Sequence, residues 1–297
     1  MCVTGVCLLL DENDHVCLCS SVCGTAPLRK HHIRIIGGED APAGGWPWQA
    51  SVHNNSTLCG GSLISRRWVL TAARCFDADV VVFLGRDTQM GQNPHEVMRW
   101  VSKVIKHPDY DPGTHKNDLA LLRLSSPVNF TDYIRPVCLA AKRSFFVDGL
   151  SCWVTGWGAP QTNAPLPPPQ RLQQVSVPIV SNIQCNAAYG TGKVTTRMMC
   201  AGPDFRGKAA AATRDFGGPL VVSNGNRWIQ AGVASFVTGC GYPDYPGVYT
   251  RVSRYQTWIN NHTGEEQPGY VYFWSSASRT SPFIAMFSLL AATALVF

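Results

Sequence analysis

The apolar residues of this chain come in short runs between turn signals, and long stripes with a helical period are scarce. Runs such as Gly61–Leu70, Val80–Leu84 and Leu119–Leu124 read as strands of about four to eight residues. Many short strands in succession predict an all-β chain, a barrel or a sandwich. Hydrophobic residues make up 45% of the 297 positions and charged residues 15%, enough apolar surface for a sizeable core. The 27 Gly and 20 Pro follow no period, which excludes a collagen-like chain, and no internal repeat occurs.

The net charge of +6 is dispersed apart from Arg29–Arg34 and the pair Arg66 and Arg67. A nucleic-acid footprint needs a clustered basic stripe with interleaved aromatics, so no nucleic-acid partner is expected. Twelve cysteines are many for a cytosolic chain of this size. None sits in a paired CxxC zinc pattern, and neither a metal nor a cofactor is expected. Glycosylation triplets begin at Asn54, Asn55, Asn129 and Asn261, the first two overlapping so that one glycan is the most they carry. Cysteines and triplets together favour an oxidising, extracellular compartment.

Both ends carry apolar segments. Met1–Leu10 is a short apolar run without a basic lead, followed at once by Asp11, Glu12 and Asp14, and so reads as a weak signal peptide within 1–22 or an altered first segment. Pro282–Phe297 is apolar, short for a membrane span, and preceded by small residues Ser275–Ser278 and a polar spacer. Those are the elements of a GPI-anchor signal, with a membrane-retained tail as the alternative. The expected location is the cell surface, held to the membrane through this tail.

Four segments then carry a resemblance. They are Arg34-Ile35-Ile36-Gly37-Gly38, Leu70-Thr71-Ala72-Ala73-Arg74-Cys75, Asn117-Asp118-Leu119-Ala120-Leu121-Leu122 and Asp215-Phe216-Gly217-Gly218-Pro219-Leu220. Trp46-Pro47-Trp48-Gln49, Gly156-Trp157-Gly158 and Pro246–Val252 support them. In this order and spacing, from about Cys23 to His262, the chain resembles the chymotrypsin and trypsin-like serine proteases, and its ends resemble the tryptase, prostasin and testisin branch. The resemblance implies two six-stranded antiparallel β-barrels, a cleft between them and a C-terminal helix near Arg254–Asn261. It divides the chain into a pre-region 1–22, a propeptide 23–34, a protease domain 35–262, a stalk 263–281 and a tail 282–297.

Peptide hydrolysis of this kind needs a hydroxyl nucleophile, an imidazole base and an orienting carboxylate. By the resemblance these positions are Phe216, Arg74 and Asp118. A guanidinium stays protonated and has no lone pair to accept a proton. A phenyl ring has no heteroatom with which to form an acyl-enzyme. Only Asp118 keeps the residue type the chemistry requires. A fork-like ion pair between Arg74 and Asp118 is expected to replace the lost imidazole, the alternative being an Arg74 that points to solvent in the cleft.

The resemblance extends the changes. Arg214 replaces a glycine of the oxyanion loop beside Phe216, Ala210 replaces the acidic base of the specificity pocket, and Val237 narrows a wall that Gly247 also lines. Ser235 matches a supporting serine of the cleft. The activation site persists: an activating protease would cut after Arg34, and the freed amino group of Ile35 would seek Asp215. Implied disulfides are Cys23–Cys138, Cys59–Cys75 and Cys185–Cys200, while Cys152 and Cys240 lose their partners to Val222 and Ala212. The run Pro165–Pro169 is a surface loop, either a polyproline docking segment or a stiff linker.

Three functional readings stay open on sequence alone. The leading one is an inactive protease homologue, not an enzyme, that binds a protease, an inhibitor or a substrate protein. The others are an active trypsin-like endopeptidase and a decaying gene product.

Overall fold

Six strands close a first barrel in the spatial order Gln49–His53, Leu58–Leu63, Trp68–Thr71, Ala120–Leu124, Val97–Lys106 and Val81–Leu84, every neighbour antiparallel. The computed structural model describes residues 23–29, 38–54, 57–76, 79–158, 166–202, 215–225, 227–237 and 245–275. The short runs of the sequence become strands because their inward side chains fill the barrel. Val52, Leu63, Leu70, Leu84, Leu121 and Leu122 are all buried there with Trp48. The long strand Val97–Lys106 wraps with a register shift between Val101 and Lys103, a local irregularity of the kind that bends a barrel strand.

A second barrel follows the order Ser151–Gly156, Gln173–Val180, Met198–Ala201, Gly247–Arg251, Trp228–Phe236 and Pro219–Ser223. It closes where Leu220 and Val221 face Val154 and Trp153. The strands Cys138–Ala140 and Tyr270–Val271 add to its outside in parallel. The expected two-barrel plan is therefore the observed one. The barrels are joined by buried polar contacts: Ser62 Oγ donates to Gln230 Oε1 at 2.7 Å, and Thr155 Oγ1 donates to Gln49 Oε1 at 2.6 Å. Such fully enclosed bonds fix one barrel against the other, since breaking either would strand a buried polar atom.

Two helices are described. Asn182–Tyr189 starts at Ser181, whose side chain accepts the Gln184 N–H, and ends at Gly190 with φ 100°. The C-terminal helix is Gln256–Thr263 rather than Arg254–Asn261. Val252–Arg254 instead forms a 3-10 turn, which the Tyr255 N–H closes onto the Val252 carbonyl.

The three implied disulfides Cys23–Cys138, Cys59–Cys75 and Cys185–Cys200 are formed. Cys152 is a buried free thiol, pushed up to about 12 by desolvation, and Cys240 lies outside the described residues. Of the run Pro165–Pro169, Pro165 lies outside the described residues and the rest forms a turn. Leu166 is buried in the core, and the Gln170 N–H donates to the Pro167 carbonyl, so the chain curls back instead of presenting a rod.

The segment Cys23–Arg29 lies on the second barrel's flank. Arg29 sits among three indoles, 3.7 Å from the Trp46 centroid, 4.6 Å from Trp153 and 4.8 Å from Trp228. Its Nη1 donates to Gln174 Oε1 at 3.0 Å, and burial lowers its pKa to about 10.

Candidate active-site cleft

Asp118 is delivered by a tight bend at the start of the strand Ala120–Leu124. Asn117 takes φ 55°, and the Leu119 N–H donates to the Asn117 carbonyl. The Asp118 carboxylate is fully buried. Oδ1 accepts the backbone N–H of Arg74 at 2.9 Å, and Oδ2 accepts Ser235 Oγ at 2.6 Å. Burial still raises its pKa, against the opposing pull of these donors and of the Arg74 charge.

Arg74 stands in the 3-10 turn Ala73–Cys75 that ends the strand Trp68–Thr71. The expected fork-like ion pair with Asp118 is not formed. The guanidinium donates through Nη1 to the Ser235 carbonyl at 2.6 Å and lies over the Phe216 ring, 4.0 Å from its centroid. The side chain is half-buried and lines the cleft. The reasons are reach and competition: Ser235 and the Arg74 backbone already supply the carboxylate's donors, and the long side chain extends past it to the next acceptor and an aromatic face.

Phe216 keeps the backbone turn. Its carbonyl accepts the Gly60 N–H at 2.9 Å, the Gly217 N–H donates to the Ala234 carbonyl, and the Gly218 N–H donates to the Asp215 carbonyl. Gly217 has φ 84°, and a Cβ there would stand 2.2 Å from Thr71 Oγ1, so the turn admits no side chain. The ring is half-buried against the first barrel's core.

Asp215 points the other way, into the second barrel. Oδ1 accepts the Gly158 N–H at 2.7 Å, the Trp157 N–H also donates, and Oδ2 has no hydrogen-bond partner among the described residues. Cβ atoms on Gly156 and Gly158 would stand 2.0 and 2.7 Å from the carboxyl, so both glycines are needed to admit it. Desolvation raises Asp215 to about 7.

The other sequence-predicted residues divide. Val237 lines the cleft, whereas Gly247 is buried in its strand with a would-be Cβ 3.1 Å from the Tyr249 ring. Arg34, Ile35, Asn55, Ala210, Ala212, Arg214 and Cys240 lie outside the described residues. Asn129 and Asn261 are exposed, while Asn54 is half-buried and its Nδ2 donates to the Cys75 carbonyl.

The cleft is a cavity of about 590 Å³. Arg74, Phe216 and Val237 line it with residues the sequence did not flag: His115, Lys116, Tyr189, Lys193 and Phe236. No local pattern marks these five, because loops distant in sequence bring them together. His115 is an imidazole in the cleft, but its Nδ1 is buried without a hydrogen-bond partner among the described residues, and burial followed by the Arg74 charge lowers its pKa. Its ring packs 5.2 Å from Phe236. Among the described residues no group of three or more His, Cys, Asp or Glu is placed to hold a metal ion, and no helix is long and apolar enough to cross a membrane.

The barrels, the cleft between them and the loops that meet there define a trypsin-like serine protease fold, and the trypsin family profile matches residues 35–259. The chain belongs to the trypsin family. It is similar to tryptase of Mus musculus, 40% identical over 247 residues covering 78% of this chain and 89% of that protein. It is also similar to testisin of Homo sapiens, 39% identical over 277 residues covering 86% of this chain and 87% of that protein.

Proposed function

We propose that this chain is a non-catalytic member of its family, displayed at the cell surface through its C-terminal tail, whose cleft binds another protein without cutting it. One observation carries the reading: Arg74 and Phe216, which the resemblance sets at the base and nucleophile positions, pack against each other. The site has no group at these positions to attack a carbonyl and none to accept the proton. His115 does not replace the base, since its Nδ1 is buried without a hydrogen-bond partner among the described residues and Phe216 offers no hydroxyl to deprotonate.

The activation device supports a retained conformational role. Asp215 is buried with one oxygen unpartnered, a site suited to the ammonium that cleavage after Arg34 would free on Ile35. Cleavage then changes the shape of the cleft without making an enzyme.

The experiment is expression of the wild type beside the double reversion Arg74→His with Phe216→Ser, each cut after Arg34 and exposed to a fluorophosphonate probe and a peptide library. The wild type takes no label and turns over nothing. The reversion recovers little, because Arg214, Ala210 and Ala212 have changed as well. Wild-type turnover that survives repurification would falsify the reading. Glycosylated, folded protein on the cell surface separates a working binder from a decaying product.

A further inference from the structure

The cleft's lining is cationic and aromatic. Arg74, Lys116 and Lys193 border it, and Phe216, Phe236 and Tyr189 provide its apolar surface. None of the described lining residues is Asp or Glu. The nearby carboxylate of Asp111 is held by its own turn, accepting the Gly113 N–H at 2.9 Å and Thr114 Oγ1 at 2.5 Å. Asp118 lies buried beneath, with its oxygens facing Ser235 Oγ and the Arg74 backbone. Among the described lining residues, a ligand entering the cavity therefore meets three positive charges and an apolar wall.

The aromatic groups form a connected surface. The Phe236 ring lies 5.2 Å from His115 and 5.6 Å from Tyr189, and Tyr189 is anchored by its hydroxyl donating to the Pro246 carbonyl at 2.7 Å. A volume of about 590 Å³ accommodates a few side chains. We infer that this cleft takes an acidic peptide segment of a partner protein, an apolar side chain set against Phe216 and Phe236 and flanking carboxylates set against Arg74, Lys116 and Lys193. The inference rests on the non-catalytic binding reading and names its ligand class. A sulfated glycan would use the charges but leave the aromatic wall unmatched, so the peptide is favoured.

The test measures fluorescence anisotropy of two labelled pentapeptides, four glutamates around a central phenylalanine and its four-lysine counterpart, with the full chain. The comparison protein is Lys116→Glu with Lys193→Glu, two exposed positions whose exchange leaves the core intact. The wild type binds the glutamate peptide, the double variant binds it about tenfold or more weakly, and the lysine peptide shows the opposite order. Equal binding of both peptides, or no loss in the variant, overturns the ligand class while leaving a binding cleft. No binding of either peptide overturns the proposal, as does a sulfated hexasaccharide that binds where the glutamate peptide does not. Cleavage of either peptide, read by mass spectrometry in the same samples, is the distinct result that defeats the non-catalytic reading.

Discussion

The guanidinium of Arg74 lies 4.0 Å from the ring centroid of Phe216 and donates to the Ser235 carbonyl at 2.6 Å. Two replacements that look independent in sequence thus form one contact. On the reading proposed above each stands where a catalytic group is required, and both side chains line the cleft. Arg74→Ala is expected to cost about 1–2 kcal/mol through the lost stack and hydrogen bond. In a double-mutant cycle with Phe216→Ala, urea unfolding should give a coupling of about 1 kcal/mol. Strict additivity would show that the stack does not contribute.

Ser235 now carries the role of holding Asp118. Its hydroxyl is the side-chain donor to a fully buried carboxylate, at 2.6 Å. Ser235→Ala leaves Oδ2 without that donor and should destabilise the fold by about 1–3 kcal/mol at neutral pH. The hydroxyl favours the ionised form, so its removal raises the Asp118 pKa further. The deficit should therefore narrow as pH falls and the carboxyl is protonated in wild type and variant alike. Thermal unfolding of both proteins across pH 4–8 checks this; a pH-independent deficit would show that the hydroxyl acts only through packing.

Asp215 gives a second pH signature. Its folded pKa of about 7 stands above the ordinary value of 3.8. Between these values the folded state holds more protons than the unfolded state, so stability falls as pH rises from about 4 to about 7 and levels off beyond. The full effect is on the order of 4 kcal/mol for the uncleaved chain. Asp215→Asn should flatten this part of the profile. Cleavage after Arg34 should also flatten it if the Ile35 ammonium arrives, because an adjacent cation lowers the carboxyl pKa. An unchanged difference between wild type and Asp215→Asn across this range would exclude a protonated Asp215.

The fold was legible because short strands and ordered motifs are local signals. The structure brings Arg74, Asp118 and Phe216, which lie on separate segments, together. The error lay in what Arg74 touches. Charge complementarity suggested Asp118, but a buried carboxylate takes the nearest donors, and those were a hydroxyl and a backbone N–H. The basic and aromatic lining was illegible for another reason. Lys116, Lys193 and Phe236 lie on separate loops and strand ends, and single charges on such loops read as ordinary solvated surface.

Arg29 makes a prediction about processing. A protease that cuts after basic residues must draw the side chain into its own pocket. Arg29 is held instead among Trp46, Trp153 and Trp228 with a hydrogen bond to Gln174. Limited trypsin digestion should therefore spare the bond after Arg29. Trp46→Ala should open the cage and make that bond labile, read by N-terminal sequencing of the fragments. Rapid cutting after Arg29 in the wild type would show that the cage does not protect it.

Cys152 offers the sharpest test of the barrel register. Leu220 faces Val154 and Val221 faces Trp153, and extending that antiparallel register by one residue would set Val222 against Cys152. Both are buried, and Cys152 is a free thiol whose pKa desolvation raises to about 12, so it should resist thiol reagents until the protein unfolds. Val222→Cys supplies a partner across the strands and closes a loop of about 70 residues, for which chain entropy gives roughly 4 kcal/mol. The variant should lose the titratable thiol of Cys152 under denaturing conditions and melt at a higher temperature than the wild type. Reductant should abolish that gain. A variant with two titratable thiols at these positions and an unchanged melting temperature would show that the side chains do not meet across this ladder.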